Sequence, residues 1–207
     1  MARPDLTYID QYYGYAADLM GQAPCVIEVG TSSLHATAAL RKTWPLGRYA
    51  LFEADPGAYA HLAALDLPDG VTAHHAALAD ADGQARFHRS KRASANSLFK
   101  GVATDETVTV EGVRLSTMMG VAGFEMLDLL LLNCEGGEVY ALAELVKRPE
   151  LTERVKQVCV SFHCDHVHHY PPVLRDVLLD ALRWAYEVTP LRSREYDYWL
   201  LTWQEGP

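Results

Sequence analysis

Met126-Leu127-Asp128-Leu129-Leu130-Leu131-Leu132 is the most apolar run in the chain, bounded by Gly123 on one side and by Gly136-Gly137 on the other. A run this short and this apolar, flanked by glycines, reads as a strand buried on both faces of a parallel sheet. A buried helix is the other reading of such a run, and the neighbours decide between the two. Upstream, Cys25–Val29 is a second short apolar run, Arg48–Glu53 a β-like stretch carrying Tyr49, Leu51 and Phe52, and Val71–Leu78 a third strand. Downstream, Val155–Phe162 reads as another. Helical patterns separate them: Ser33–Trp44 with Ser32 or Ser33 as its cap, Asp55 to about Leu65, Gly137–Lys147, and Pro172–Trp184. Asp55-Pro56 is a strong start, because Asp caps a helix and Pro fits its first turn. Alternation of this kind predicts a parallel α/β sheet with helices on both faces. Ala185–Thr189 and Tyr198–Trp203 leave no room for a helix between them, so they predict an antiparallel hairpin that ends the sheet. Gly83–His88 and Thr107–Val113 predict two additional short strands around a polar stretch.

Composition sets the outer limits. The chain has 207 residues, with Lys+Arg 18 against Asp+Glu 27 for a net charge of −9, 49% hydrophobic and 22% charged residues. That is the balance of a globular protein long enough for one sizeable core, so residues 1–207 are expected to form one domain. Asp5–Met20 carries Leu6, Ile9, Tyr13, Ala16, Leu19 and Met20 at helical spacing, which predicts an N-terminal helix within residues 1–24 that covers the pocket. Ser90–Glu106 is the one long stretch of low hydrophobicity and is a candidate lid. The acidic balance excludes a non-specific nucleic-acid binder and is a poor start for anionic membranes. No segment is apolar enough to span a bilayer, and Met1–Asp10 lacks the apolar stretch of a signal peptide. Cys25, Cys134, Cys159 and Cys164 form no CxxC pair, and three of them sit at or inside apolar runs. A reduced, cytoplasmic setting is expected.

In an open α/β sheet, ligands bind beyond the carboxyl ends of the strands, so the residues after each strand carry the chemistry. The first turn reads Val26-Ile27-Glu28-Val29-Gly30-Thr31-Ser32-Ser33, with one glycine rather than the three of the dinucleotide fingerprint. Gly30 permits a tight turn and close approach of backbone to a ligand. Glu28, an acid inside an apolar strand, would repel a pyrophosphate and attract a ligand bearing an amine and a sulfonium. The second strand ends at Glu53, which lies 23 residues after Gly30 and can accept both hydroxyls of a ribose. The third ends Ala76-Ala77-Leu78-Ala79-Asp80, where small residues leave a flat slot for an adenine ring. The segment His163-Cys164-Asp165-His166-Val167-His168-His169 holds four of the nine histidines. It is either a pocket-mouth loop or a metal site, with His163, Asp165 and His166 as candidate ligands for a divalent ion; its spacing matches no standard zinc signature. Arg86, Arg89, Lys91 and Arg92 form a local basic cluster.

Taken in order, Glu28-Val29-Gly30, Phe52-Glu53-Ala54-Asp55-Pro56, Ala77-Leu78 with Gly83–Phe87, Val113–Met118 and Asn133-Cys134-Glu135-Gly136-Gly137-Glu138 resemble the FkbM-type S-adenosylmethionine-dependent methyltransferases of the class I superfamily. The resemblance covers roughly Cys25 to Phe162. It implies a Rossmann-like class I methyltransferase fold: a mostly parallel seven-stranded sheet, an antiparallel C-terminal hairpin strand, and helices on both faces. It implies S-adenosylmethionine as cofactor, with Glu28 and Gly30 against its methionine part, Thr31 and Ser32 of the same turn also binding it, Glu53 on the ribose and Ala77 and Leu78 beside the adenine. Asn133 and Glu135 would face the methyl group and the acceptor. The family's Asp is Asn133 here, and the later strand ends Ser161-Phe162-His163 where the family has an acid before the His.

If the acceptor is a hydroxyl, a base must take its proton. His163, His166 and Glu135 are the candidates, with His163 first because an imidazole titrates near neutrality. The expected activity is O-methylation of a small-molecule acceptor, a sugar or a natural product, without nucleic-acid or membrane partners and with a homo-oligomer open. Two other readings stand beside it: a nucleotide-dependent oxidoreductase on a Rossmann-like sheet, against which the missing glycine fingerprint counts, and a catalytically silent cofactor-binding partner subunit, which Asn133 keeps in play.

Overall fold

A computed structural model describes residues 15–31, 34–90, 96–99, 104–164, 170–191 and 197–204. The elements, in chain order, are β1 (Cys25–Val29), α1 (His35–Thr43), β2 (Arg48–Glu53), α2 (Pro56–Ala63), β3 (Val71–His75), β4 (Ala77–Leu78), β5 (Gly83–Ser90), β6 (Thr104–Val113), α3 (Leu115–Ala122), β7 (Leu129–Leu132), α4 (Glu138–Lys147), α5 (Pro149–Thr152), β8 (Gln157–Phe162), α6 (Pro172–Leu182), β9 (Tyr186–Pro190) and β10 (Asp197–Trp203).

The main sheet has the order β3-β2-β1-β7-β8-β10-β9. Strands β3, β2, β1, β7 and β8 are parallel; β10 runs antiparallel to both β8 and β9. The antiparallel strand is thus one place in from the edge, which β9 forms. Side chains of β1, β2, β7 and β8 alternate between two apolar layers, one including Ile27, Phe52, Leu130 and Val160, the other Val26, Leu51, Leu131 and Cys159. Helices α3, α4 and α6 close the first layer; α1 closes the second. All four leucines of β7 are at most 1% exposed, and burying each contributes about 1.5–3 kcal/mol. Asp128, the acid inside that apolar run, lies just ahead of β7. Its carboxylate accepts the Cys25 amide at 2.8 Å and pairs with Lys156 at 2.6 Å, tying together the starts of the three central strands.

Several sequence expectations change. The run Val71–Leu78 is two strands, because the chain leaves the main sheet at Ala76 and Ala77-Leu78 pairs with β6 instead. With β5 and β6 these residues make a second, three-stranded sheet. Helix α3 is additional to the helices expected from the sequence; Leu115, Met118 and Met119 at helical spacing are its buried face, and Gly123 in the left-handed conformation ends it. The N-cap of α1 is Leu34, with no side-chain bond; Ser32 and Ser33 lie outside the described residues. Most of the expected N-terminal helix, residues 1–14, does too, and Ala17–Leu19 is a single 3-10 turn. Among the described residues no helix is long and apolar enough to cross a membrane.

Candidate functional site

Strand order reverses between the parallel neighbours β1 and β7: β2 and β3 follow β1 on one side, and β8, β10 and β9 follow β7 on the other. A cleft opens there, beyond the strands' carboxyl ends, as α/β topology requires. Its walls come from the turns after β1 (Gly30), β2 (Glu53, Asp55) and β7 (Asn133, Glu135), from β4 (Ala77, Leu78), and from Asn96 and Leu98 of the segment between β5 and β6.

Gly30 makes the close nesting of two strand ends possible. Its amide donates to Phe52 O at 2.9 Å while Asn133 N donates to Val29 O at 3.1 Å. With φ at +82°, an added Cβ would lie 2.0 Å from Asn133 O. No other residue fits. Glu53, 7% exposed, accepts the Asp55 amide at 2.8 Å, and burial raises its carboxyl above the ordinary value. Asp55 caps α2, accepting from Gly57 N and Ala58 N, both at 2.9 Å, and it pairs with Arg89 Nε at 2.7 Å. Arg89, read from sequence as part of a basic cluster, therefore serves the cap and Glu106; Lys91 and Arg92 lie outside the described residues.

Glu28 sits beneath the first turn and does not line the cleft. Its carboxylate is 5% exposed and accepts Thr37 Oγ1–H at 2.6 Å. Burial pushes it up to about 7, against the opposing hydrogen bonds of Thr37 and Thr31. Thr31 is itself buried, and Ser32 is outside the described residues.

The turn after β7 carries the densest chemistry. Glu135 has φ +52°, a left-handed conformation that costs a non-glycine residue about 1–2 kcal/mol and must be held by its surroundings. Ser97, from between β5 and β6, donates its hydroxyl to Glu135 O. Phe99 behind it stacks on Tyr140, ring centroids 5.6 Å apart. The described part of the expected lid thus rests on this turn; residues 91–95 and 100–103 lie outside the described residues. His163, at the end of β8, stands between two acids: Nε2 is 3.2 Å from Glu135 Oε1 and Nδ1 is 3.1 Å from Glu138 Oε1. Burial alone would lower the ring's pKa, but the hydrogen bonds and charges of Glu135 and Glu138 outweigh it and push it up to about 10.

Both ring nitrogens face carboxylates, so the ring as placed donates at each, whereas the expectation from the sequence has it accept a proton. The expectation missed Glu138 and Tyr170, whose hydroxyl donates to Glu138 at 2.6 Å. Glu138 could have been found as the second acid of Glu135-Gly136-Gly137-Glu138; nothing in the sequence marks Tyr170. His166 and Asp165 lie outside the described residues. Both ring nitrogens of His163 lie against carboxylates. Among the described residues no group of three or more His, Cys, Asp or Glu is arranged to hold an ion. Ser161 is buried with its hydroxyl unbonded.

No protein-family model matches the chain, and no curated protein matches it in sequence. Solved structures do. The chain is similar to the METTL16 MTase domain, with a TM-score of 0.53 and 12% identity over 96% of this chain and 65% of that one. It thus spans about 65% of that domain's length. It is similar to human methyltransferase-like protein 13 in complex with SAH, with a TM-score of 0.51 and 12% identity over 91% of this chain and 75% of that one. It is also similar to the Methanococcus jannaschii fibrillarin pre-rRNA processing protein, with a TM-score of 0.52 and 8% identity over 94% and 72%. The shared architecture is the Rossmann-like methyltransferase fold, a mostly parallel seven-stranded sheet with an antiparallel C-terminal hairpin.

Proposed function

We propose that the chain is a single-domain S-adenosylmethionine-dependent methyltransferase of the FkbM type that methylates a hydroxyl on a small molecule. The observation that carries this reading is the gathering of Gly30, Glu53, Ala77, Leu78, Asn133 and Glu135 around one cleft at the point where strand order reverses. The donor set fits the cofactor. Glu53 keeps one oxygen on the Asp55 amide and can offer the other to ribose hydroxyls. Ala54, Ala58, Ala77 and Leu78 give a flat apolar wall for a purine. Glu28 is bonded to hydroxyls, and a cationic amine above the first turn would stabilise its charged form.

When bound, S-adenosylmethionine supplies a methyl group on a sulfonium, an already activated donor. What remains for the protein is alignment and removal of one proton. Glu135 lines the cleft beside the turn after β7, with Glu53 given to the ribose and Asp55 to the cap of α2, so we assign Glu135 the acceptor's hydroxyl proton. His163 is a positioning group that fixes one oxygen of Glu135. A small acceptor is favoured over the RNA that the name of the fibrillarin pre-rRNA processing protein points to, because the carboxylates Glu53, Asp55 and Glu135 line the cleft and no Lys, Arg or His is among its described lining residues. Polyanions are repelled there, and the chain's net charge of −9 adds to the effect. Four cysteines without a CxxC pair, three of them at or inside apolar runs, fit a reducing compartment such as the cytoplasm. The test is calorimetry with S-adenosylmethionine, S-adenosylhomocysteine and NAD, followed by a search for S-adenosylhomocysteine production across sugar and phenol acceptors. Heat with the two sulfur nucleosides and none with NAD is expected. Binding of NAD alone would move the chain to the oxidoreductases, and binding without turnover on any acceptor to the silent partners.

A further inference from the structure

We infer that Glu138 is a positioning residue that holds His163 with both ring protons in place and so aims its Nε2–H at Glu135. Glu138 is fully buried at the first turn of α4. Its Oε1 accepts from Tyr170 O–H at 2.6 Å, from His163 N at 3.0 Å and from His163 Nδ1 at 3.1 Å. Its Oε2 accepts from Gly136 N at 2.8 Å and from Cys134 Sγ at 3.7 Å. A carboxylate this buried and this fully bonded is charged, and a buried charge needs an opposite one.

The opposite charge is the imidazole. Carboxylates only accept, and both ring nitrogens face carboxylates, so both must donate; only the protonated ring can do that. The groups packed around the ring leave no other cation for the role among the described residues. Tyr170 is a neutral donor to Glu138, Cys134 faces the same acid, and Arg175 is engaged by Asp197 and Asp176. Glu138 also closes the turn that carries Glu135, through Gly136 N. One buried acid thereby fixes both the ring and the strained backbone of its neighbour.

The inference rests on the reading of Glu135 as proton acceptor for its catalytic meaning, yet its test needs neither cofactor nor acceptor. Nitrogen-15 NMR of the whole chain, with His163→Gln to assign the ring, should show two slowly exchanging ring N–H signals from His163 at pH 7.5. Glu138→Gln should lose the Nδ1–H signal or speed its exchange at least ~10-fold, as expected when a charge-assisted hydrogen bond becomes neutral. Glu135→Gln should keep the Nδ1–H signal. A single N–H signal in the unaltered protein overturns the inference. So does loss of the Nδ1–H signal in Glu135→Gln, or its persistence in Glu138→Gln. Should Glu138→Gln not fold, the unaltered protein and Glu135→Gln still decide. Two signals together with no binding of S-adenosylhomocysteine would remove the proposed function and leave the positioning role standing.

Discussion

Replacing Glu28 by Gln should make the protein more stable at alkaline pH while weakening its grip on the cofactor. In the folded state burial raises the Glu28 carboxyl from the ordinary 4.5 to about 7. Between those values the native state holds a proton that the unfolded chain releases, so stability falls as pH rises through this window. Above it the full penalty applies, and at about 1.4 kcal/mol per pH unit it amounts to roughly 3 kcal/mol. Gln has nearly the same shape, keeps a carbonyl oxygen for Thr37 Oγ1–H, and does not titrate. The variant should therefore exceed the unaltered protein by up to about 3 kcal/mol at pH 8, roughly 6–12 °C in Tm for a chain of this size. The advantage should shrink to near zero by pH 4. Urea and thermal unfolding of both proteins from pH 4 to 8.5 measure it, and the difference cancels every other titrating group. A variant less stable at pH 8, or a gap that does not change with pH, would refute the reasoning. The same variant should bind S-adenosylmethionine at least ~10-fold more weakly, the trade between stability and function expected of a charge kept for a ligand.

Other perturbations separate the parts of the site. Gly30→Ala places a Cβ 2.0 Å from Asn133 O at positive φ, so it should cost at least ~3 kcal/mol in unfolding experiments and abolish cofactor binding; unchanged melting would show that the two strand ends do not nest as described. Glu53→Ala should weaken S-adenosylhomocysteine binding about 10–100-fold, the worth of charge-assisted bonds to two hydroxyls, and calorimetry with an unchanged Kd would exclude the ribose role. Asp55→Ala should lose about 1 kcal/mol with the cap of α2, and Asp55→Asn should regain most of it; equal stability of the two would mean that Arg89 rather than the cap matters at this position.

The fold was legible because its evidence is local. Cys25–Val29 and Arg48–Glu53 carry their own apolar pattern and end at residues that turn the chain, so their bounds coincide with the strands observed. The Asp55-Pro56 start is equally local, and the cap bonds are there. The misreadings come where a tertiary choice overrides pattern. Val71–Leu78 is one run by composition, but Ala77 and Leu78 gain more from pairing with Gly112 and Val113 than from extending β3. Helix α3 starts at Arg114 without a side-chain cap, so its local signal is weak beside that of α2, which Asp55 caps.

The site divides along the same line, and two buried acids show why. Glu28 and Glu138 are both nearly inaccessible to water. From sequence each is only a carboxylate in an apolar neighbourhood. Glu28 meets hydroxyls, and its carboxyl is raised; Glu138 meets a histidine brought from 25 residues away, and its carboxyl ends up lowered although burial acts on it too. The sign of the shift therefore follows from the partner, not from burial. That partner cannot be read from spacing, because it depends on β7 and β8 lying side by side. The setting of His163 has the same origin. Its ordinary pKa suggests a proton acceptor, but two acids converge on it and fill both nitrogens. A turn after a strand can be read for the shape of its ligand from its own residues, whereas the charge state of a buried group is a sum over elements that only the folded chain brings together.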